Sequence, residues 1–145
     1  MDGPISDDVM IVIVTGPPCG GKSTYAQTNM RPGDIIIDMD TIATCLEVDA
    51  SSHDYADLTR HMARAARNAA VGECLKQMQG ERRRTAYIIH TDPPPEMRRT
   101  YRAFGARFVD CDPGRDVCLE RAKERPAENQ KLVRQVLDEY YAKRL

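Results

Sequence analysis

The sequence predicts a single α/β domain in which a mostly parallel sheet lies between layers of helices, and three observations predict it. Val9 to Thr15 is an unbroken run rich in β-branched residues, the pattern of a strand buried on both faces. Strand-like and helix-like segments alternate along the chain, and such alternation brings strands together in parallel through right-handed crossovers. A glycine-rich loop, Gly16 to Ser23, joins the first strand to the first helical segment. The 145 residues suit one compact domain, residues 9–145, preceded by a flexible arm of residues 1–8 that holds Gly, Pro and three Asp.

Taken in order, the first helix is expected from Lys22 to Asn29, stopped by Arg31-Pro32-Gly33. Asp34 to Asp38 reads as a short second strand, followed by a helix from Thr41 to Leu46. Ser51 and Asp54 have capping-box spacing, which predicts that the long helix opens there and runs to about Gln79, before Gly80. Thr85 to His90 is the third strand, and the prolines at 93–95 start an arginine-rich helix ending near Phe104. Ala106 to Cys111 is the fourth strand; Asp112-Pro113 then reads as a cap with proline at the first helical position, and that helix ends before Pro126. Leu132, Val133, Val136, Leu137 and Tyr140 recur at helical spacing in a terminal amphipathic helix, Asn129 to Lys143.

Composition narrows the function classes. The longest apolar run near the N-terminus is far shorter than the roughly 20 residues of a membrane helix, so no span is expected. Five cysteines without a CxxC pair argue against a disulfide framework or a zinc site and point to a reducing cytoplasm. A net charge of -1 supplies no global field for nucleic acid, so a polyanion would have to meet a local patch. Sixteen of the 21 basic residues are Arg, whose guanidinium fork suits phosphate oxygens, although genomic base composition produces the same bias.

Gly16-Pro17-Pro18-Cys19-Gly20-Gly21-Lys22-Ser23 matches G-x-x-x-x-G-K-[ST] in full, in the strand-to-helix setting the motif requires. In such a loop the backbone N–H groups of Gly16, Cys19, Gly20 and Gly21 turn toward phosphate oxygens and the helix N-terminus adds its positive end. Lys22 would neutralise β and γ oxygens, Ser23 would coordinate Mg²⁺, and Thr24 would lie near the α-phosphate. A nucleotide donor, ATP or GTP, follows from this segment. The thiol of Cys19 is assigned no role of its own.

Asp38 and Asp40 stand at the carboxyl end of the second strand, the edge where doubly wound sheets hold ligands. Asp40 is the candidate base toward an attacking hydroxyl, and Asp38 the candidate metal or substrate residue; either could instead cap the helix that follows. Arg121 and Arg125, four residues apart, are placed on one face of the helix before Pro126, as a lid that clamps phosphate charge. Arg60, Arg64 and Arg67 form a basic stripe on the long helix, either an acceptor-phosphate site or a solvated face. Arg82-Arg83-Arg84 and Arg98, Arg99 and Arg102 could touch a nucleic-acid backbone. His53, His61 and His90 show no metal spacing, and the tyrosines no stacking signature, while His90 ends a strand beside the site.

The stretches Gly16–Ala26, Ile37-Asp-Met-Asp-Thr-Ile42, Ile88-Ile-His-Thr-Asp92 with Pro95–Arg99, and Cys118–Arg125 together resemble the polynucleotide-kinase-like P-loop phosphotransferases, over nearly the whole chain after residue 8. The resemblance implies a three-layer P-loop NTPase fold with a four-stranded parallel core of order 2-3-1-4. It also implies Asp40 as general base toward a 5'-hydroxyl, Arg121 and Arg125 as phosphate-clamping residues, and Thr91 or Asp92 at the acceptor position after the third strand. The chain departs from the pattern at Ala43, where the family usually has an arginine for the acceptor phosphate, and at the prolines 93–95. The expected activity is therefore ATP- and Mg²⁺-dependent phosphoryl transfer to a nucleic-acid 5'-hydroxyl or a nucleotide-like acceptor. A nucleoside monophosphate or small metabolite is the alternative acceptor, and a non-catalytic nucleotide switch the alternative class.

Overall fold

In the computed structural model, which describes residues 10–81 and 83–145, four strands form one sheet: β1 (Ile11–Thr15), β2 (Ile35–Ile37), β3 (Ala86–Ile89) and β4 (Arg107–Asp110). Six helices are interspersed: α1 (Lys22–Asn29), α2 (Met39–Leu46), α3 (Asp57–Gln77), α4 (Pro95–Ala103), α5 (Arg115–Ala122) and α6 (Ala127–Ala142). The strand order is β2-β3-β1-β4 and every pairing is parallel, as the resemblance implies. The N-terminal arm, Val9 and Arg82 lie outside the described residues.

Alternation along β1 divides the core. Ile11 and Ile13 face a layer containing Val71, Leu75, Met78 and Tyr101 of α3, its C-terminal end and α4. Val12 and Val14 face the opposite layer, with Tyr25 and Ala26 of α1. β1 is buried throughout, which explains why its sequence shows no polar alternation. A third cluster, Cys118 and Ala122 of α5 with Val133 and Leu137 of α6, fastens the last two helices together.

Three local expectations are corrected. The long helix does not open at Ser51: Asp54 N–H donates to the Ser51 carbonyl in a tight turn, and α3 begins at Asp57. Its end is capped from a distance, because the Glu47 carboxylate accepts from Ala56 N–H at 3.0 Å and from the Thr59 hydroxyl at 2.6 Å. Asp112 and Pro113 likewise stand before a helix rather than in it. Asp112 closes a turn onto Gly114 N–H at 3.0 Å, and α5 starts at Arg115. Finally α5 stops at Ala122, so Arg125 belongs to the turn between α5 and α6 and does not share a helical face with Arg121.

Candidate active site

The loop from Gly16 to Gly21 leaves β1 and presses against the exit of β4. A Cβ on Gly16 would lie 2.1 Å from the Cys111 carbonyl oxygen and one on Gly20 2.5 Å from it, so side chains are excluded at both positions. Gly16, Cys19 and Gly21 all have positive φ, at 140°, 62° and 95°, which curls the backbone into a concave turn. The expectation for the Gly16 and Gly20 amides is corrected, because they donate to the Thr91 and Pro17 carbonyls at 3.1 and 3.0 Å; an anion in this nest would be met by the other amides of the turn and the N-terminus of α1.

Lys22 reaches back over this turn, its Nζ donating to the carbonyls of Gly16 at 2.9 Å and Pro17 at 2.7 Å. Burial first, and the neighbouring Arg125 charge second, lower its pKa to about 8. Ser23 Oγ donates to Asp38 Oδ2 at 3.0 Å. Asp38 is buried and also caps α2, accepting from Asp40 N–H at 3.2 Å and from the Thr41 hydroxyl at 3.4 Å. The cap expected of Asp38 is thus present, and the same carboxylate also meets the serine of the loop. Thr24 is exposed at the start of α1.

The donor set fits a nucleotide with a hard divalent cation. Ser23 and Asp38 supply neighbouring oxygen donors beside the nest, while no group of three or more His, Cys, Asp or Glu among the described residues could hold a metal alone. A cation there would complete its shell from phosphate and water, as Mg²⁺ favours.

Asp40 lies in the first turn of α2, which opens at Met39, two residues before the expected Thr41. Its carboxylate is held by two residues the sequence reading passed over: Tyr55 donates its hydroxyl to Oδ1, and His53 Nδ1 stands 3.0 Å from Oδ2. Burial pushes the Asp40 carboxyl up, but the hydrogen bonds from His53 and Tyr55 and the charges of His53 and Arg125 outweigh it. The net pKa falls below the ordinary 3.8. Burial and the Asp40 carboxylate push the Tyr55 phenol up, so Tyr55 remains a donor. His53 adopts φ 66° in the loop, and Asn129 of α6 donates to its carbonyl. A His two residues from a Tyr in an irregular loop carries no periodic signal, and only the turn brings both onto Asp40.

Arg121 and Arg125, expected together on one helix face, lie on different elements. Arg121 Nη1, on α5, donates to the Cys19 carbonyl at 3.0 Å, directly over the loop. Arg125, in the turn, acts by its charge on both Lys22 and Asp40. Gln130 Nε2 clamps that turn through the carbonyls of Lys123 at 3.1 Å and Arg125 at 2.9 Å.

The remaining candidates are dispersed. Thr91 accepts through its carbonyl from Gly16 N–H at 3.1 Å, which ties the exit of β3 to the loop. Asp92 is engaged by Arg144 at 3.2 Å, Arg98 at 3.4 Å and Lys143 at 3.8 Å. The basic stripe on α3 divides: Arg60 pairs with Asp57 and lies 5.6 Å from the Tyr55 ring centre, Arg64 is exposed, and Arg67 turns inward. Ala43 is fully buried on α2, and α2 packs against α3. Among the described residues no helix is long and apolar enough to cross a membrane.

A glycine nest with its lysine and serine, seated between β1 and α1 of a parallel sheet ordered 2-3-1-4, defines a P-loop NTPase fold. A family model described as an AAA domain (AAA_33) matches residues 11–144, and the chain belongs to that family. Its fold is similar to that of a Chloroflexus aurantiacus j-10-fl protein described as a candidate kinase, with 16% identity and a TM-score of 0.55 over 87% of this chain and 78% of that one. It is also similar to a chain of the Pnkp1/Rnl/Hen1 RNA repair complex, with 17% identity and a TM-score of 0.57 over 91% of this chain; this chain spans 46% of that one. At these identities the likeness is one of fold. No curated protein matches the chain.

Proposed function

We propose that the chain is an ATP- and Mg²⁺-dependent kinase that transfers the γ-phosphoryl group to a hydroxyl of a nucleic-acid 5' end or a nucleotide-like acceptor. The observation that carries this reading is that Asp38 meets Ser23 of the phosphate loop at 3.0 Å while Asp40, two residues on, is a carboxylate held by His53 and Tyr55. A protein that only senses a nucleotide has no use for that carboxylate. In the proposed reaction Lys22 and the amides of Cys19 and Gly21 hold the donor phosphates, and Ser23 with Asp38 hold the cation, which neutralises developing charge on the phosphate oxygens. Arg121 and Arg125 clamp the phosphoryl group in flight. Asp40 accepts a hydrogen bond from the acceptor hydroxyl and orients it; its low pKa suits this role, because a loose phosphoryl-transfer transition state asks little basicity of the base.

The fold likeness to a chain of an RNA repair complex supports a nucleic-acid end as acceptor. A second reading, transfer to a nucleoside monophosphate or small metabolite, draws on the net charge of -1 and on Ala43 at the position where an acceptor arginine would be expected. The test is transfer of labelled γ-phosphate from ATP-Mg²⁺ to 5'-hydroxyl oligonucleotides, nucleosides and nucleoside monophosphates. Asp40→Asn is expected to lower the rate by roughly 10²–10⁴-fold while retaining ATP binding. Labelling of small acceptors alone would select the second reading, and no labelling of any acceptor would overturn both.

A further inference from the structure

His53 and Tyr55 reach Asp40 from an irregular segment, residues 51–56, between α2 and α3. Its local bonds are sparse: Asp54 N–H donates to the Ser51 carbonyl at 2.9 Å, and Ala56 N–H to the Glu47 carboxylate at 3.0 Å. Between them His53 adopts φ 66°, a left-handed conformation that a residue with a Cβ keeps only where its surroundings enforce it. In that conformation His53 Nδ1 stands 3.0 Å from Asp40 Oδ2, so whatever holds the backbone also aims the imidazole.

That restraint comes from 76 residues away, where Asn129 Nδ2 donates to the His53 carbonyl. Asn129 stands in the first turn of α6 and is half-buried, and its own N–H donates to the Pro126 carbonyl at 2.9 Å. The next residue, Gln130, donates to the carbonyls of Lys123 at 3.1 Å and Arg125 at 2.9 Å. Adjacent amide side chains on one helical turn thus hold two irregular segments, one carrying His53 and Tyr55, the other carrying Arg125. The helix itself is anchored further along, by Val133 and Leu137 against Cys118 and Ala122 of α5. Uncharged amides suit this task, because they satisfy backbone carbonyls without competing for phosphate or for the Asp40 carboxylate.

We infer that Asn129 is a positioning residue for Asp40, acting through the His53 backbone, and that with Gln130 it makes the first turn of α6 a brace between the Asp40 loop and the Arg125 turn. The inference rests on the kinase reading above. It gives α6 the task of fixing the group that orients the acceptor hydroxyl relative to an arginine of the phosphoryl clamp. Displacement of such groups by about 1 Å can lower a rate by roughly 100-fold, so a contact remote from the chemistry can still set kcat.

The test removes the donor and keeps the shape. Asn129→Leu has a similar side-chain outline and a better helix propensity, so α6 should keep or gain stability. Amide exchange at Asp54 and Ala56, followed by NMR in the full chain, is expected to quicken by about 10-fold, while the amides of Val133 and Leu137 keep their rates. In γ-phosphoryl transfer kcat is expected to fall by about 10-fold with the KM for ATP within twofold, because the change lies outside the phosphate loop. Asn129→Gln, which keeps an amide donor on a longer stem, should recover part of the rate. Combined with Gln130→Ala, Asn129→Leu should cost less than the product of the two single losses, as befits residues serving one brace. Unchanged exchange at Asp54 and Ala56, a kcat that holds although exchange has quickened, or equal quickening along all of α6 would each overturn the positioning role. Quickening confined to Asp54 and Ala56, in a chain that transfers phosphate to no acceptor even when unaltered, would support the brace and sink the kinase reading instead.

Discussion

Asp40 sits between opposing influences, and its balance is measurable. Removing the Tyr55 hydroxyl in Tyr55→Phe leaves the carboxyl buried but takes away one donor, so its pKa should rise from below 3.8 toward or above it. Carbon NMR of labelled aspartate is the direct check, and kcat for transfer is expected to fall by about 10-fold as the carboxylate loses its orientation. An unmoved Asp40 titration would show that Tyr55 does not set this group. Lys22 gives a second prediction, with the opposite sign. Its pKa of about 8 means that the cation is lost as pH rises through that value, so ATP affinity should hold below pH 8 and weaken above it. Bound phosphate favours the charged form, so the midpoint in the complex must lie higher than in the free protein. Fluorescent-nucleotide binding between pH 7 and 10, with Lys22→Met as the flat control, tests both statements.

At the scale of elements, the turn between α5 and α6 decides where Arg125 points. Gln130 holds that turn by two carbonyls from the first turns of α6, while the hydrophobic contacts of α5 and α6 lie elsewhere, on Cys118, Ala122, Val133 and Leu137. Gln130→Ala should therefore reduce phosphoryl transfer by roughly 10-fold through a misplaced Arg125 and leave the folding transition nearly unchanged, since exposed or half-exposed hydrogen bonds contribute only about 1 kcal/mol. A large drop in melting temperature with rates intact would assign Gln130 to stability alone. The helix ends also show why the capping box misled. Ser51 and Asp54 have the spacing, but their backbones are committed to a turn, and the Glu47 carboxylate accepts instead from the Ala56 amide at the start of α3. Sequence spacing registers only local caps, and this one comes from nine residues away.

For the molecule as a whole, the half-buried imidazole of His90 couples stability to pH. Its folded pKa of about 4 is depressed from the ordinary 6.5, so between these values the unfolded chain takes up a proton that the folded chain refuses. Stability is then full above pH 6.5 and declines as pH falls toward 4, by about 2 kcal/mol once allowance is made for solvent at the partly exposed ring. Urea denaturation at pH 7 and pH 4.5 should show this decline, and His90→Gln should remove most of it. A decline of the same size in His90→Gln would place the effect on other groups.

The sequence by itself determined the sheet, the helices on its faces and the phosphate loop, because each of these is written in local patterns: β-branched runs for β1 and β3, and a glycine-lysine-serine spacing that the backbone turn enforces. Asp38, Asp40, Arg121 and Arg125 were legible as candidates because charged residues at the carboxyl edge of strands and after the last strand have few structural uses. Only the tertiary structure decided what those groups meet. His53 and Tyr55 reach Asp40 through a loop without periodicity, and Arg125 enters the site from a turn that helical spacing misassigned. Arg60 and Arg67 are half-buried while Arg64 of the same stripe is exposed. Contacts between residues distant in sequence depend on how helices are rotated and loops closed, and those are set by packing of the whole core rather than by any segment alone.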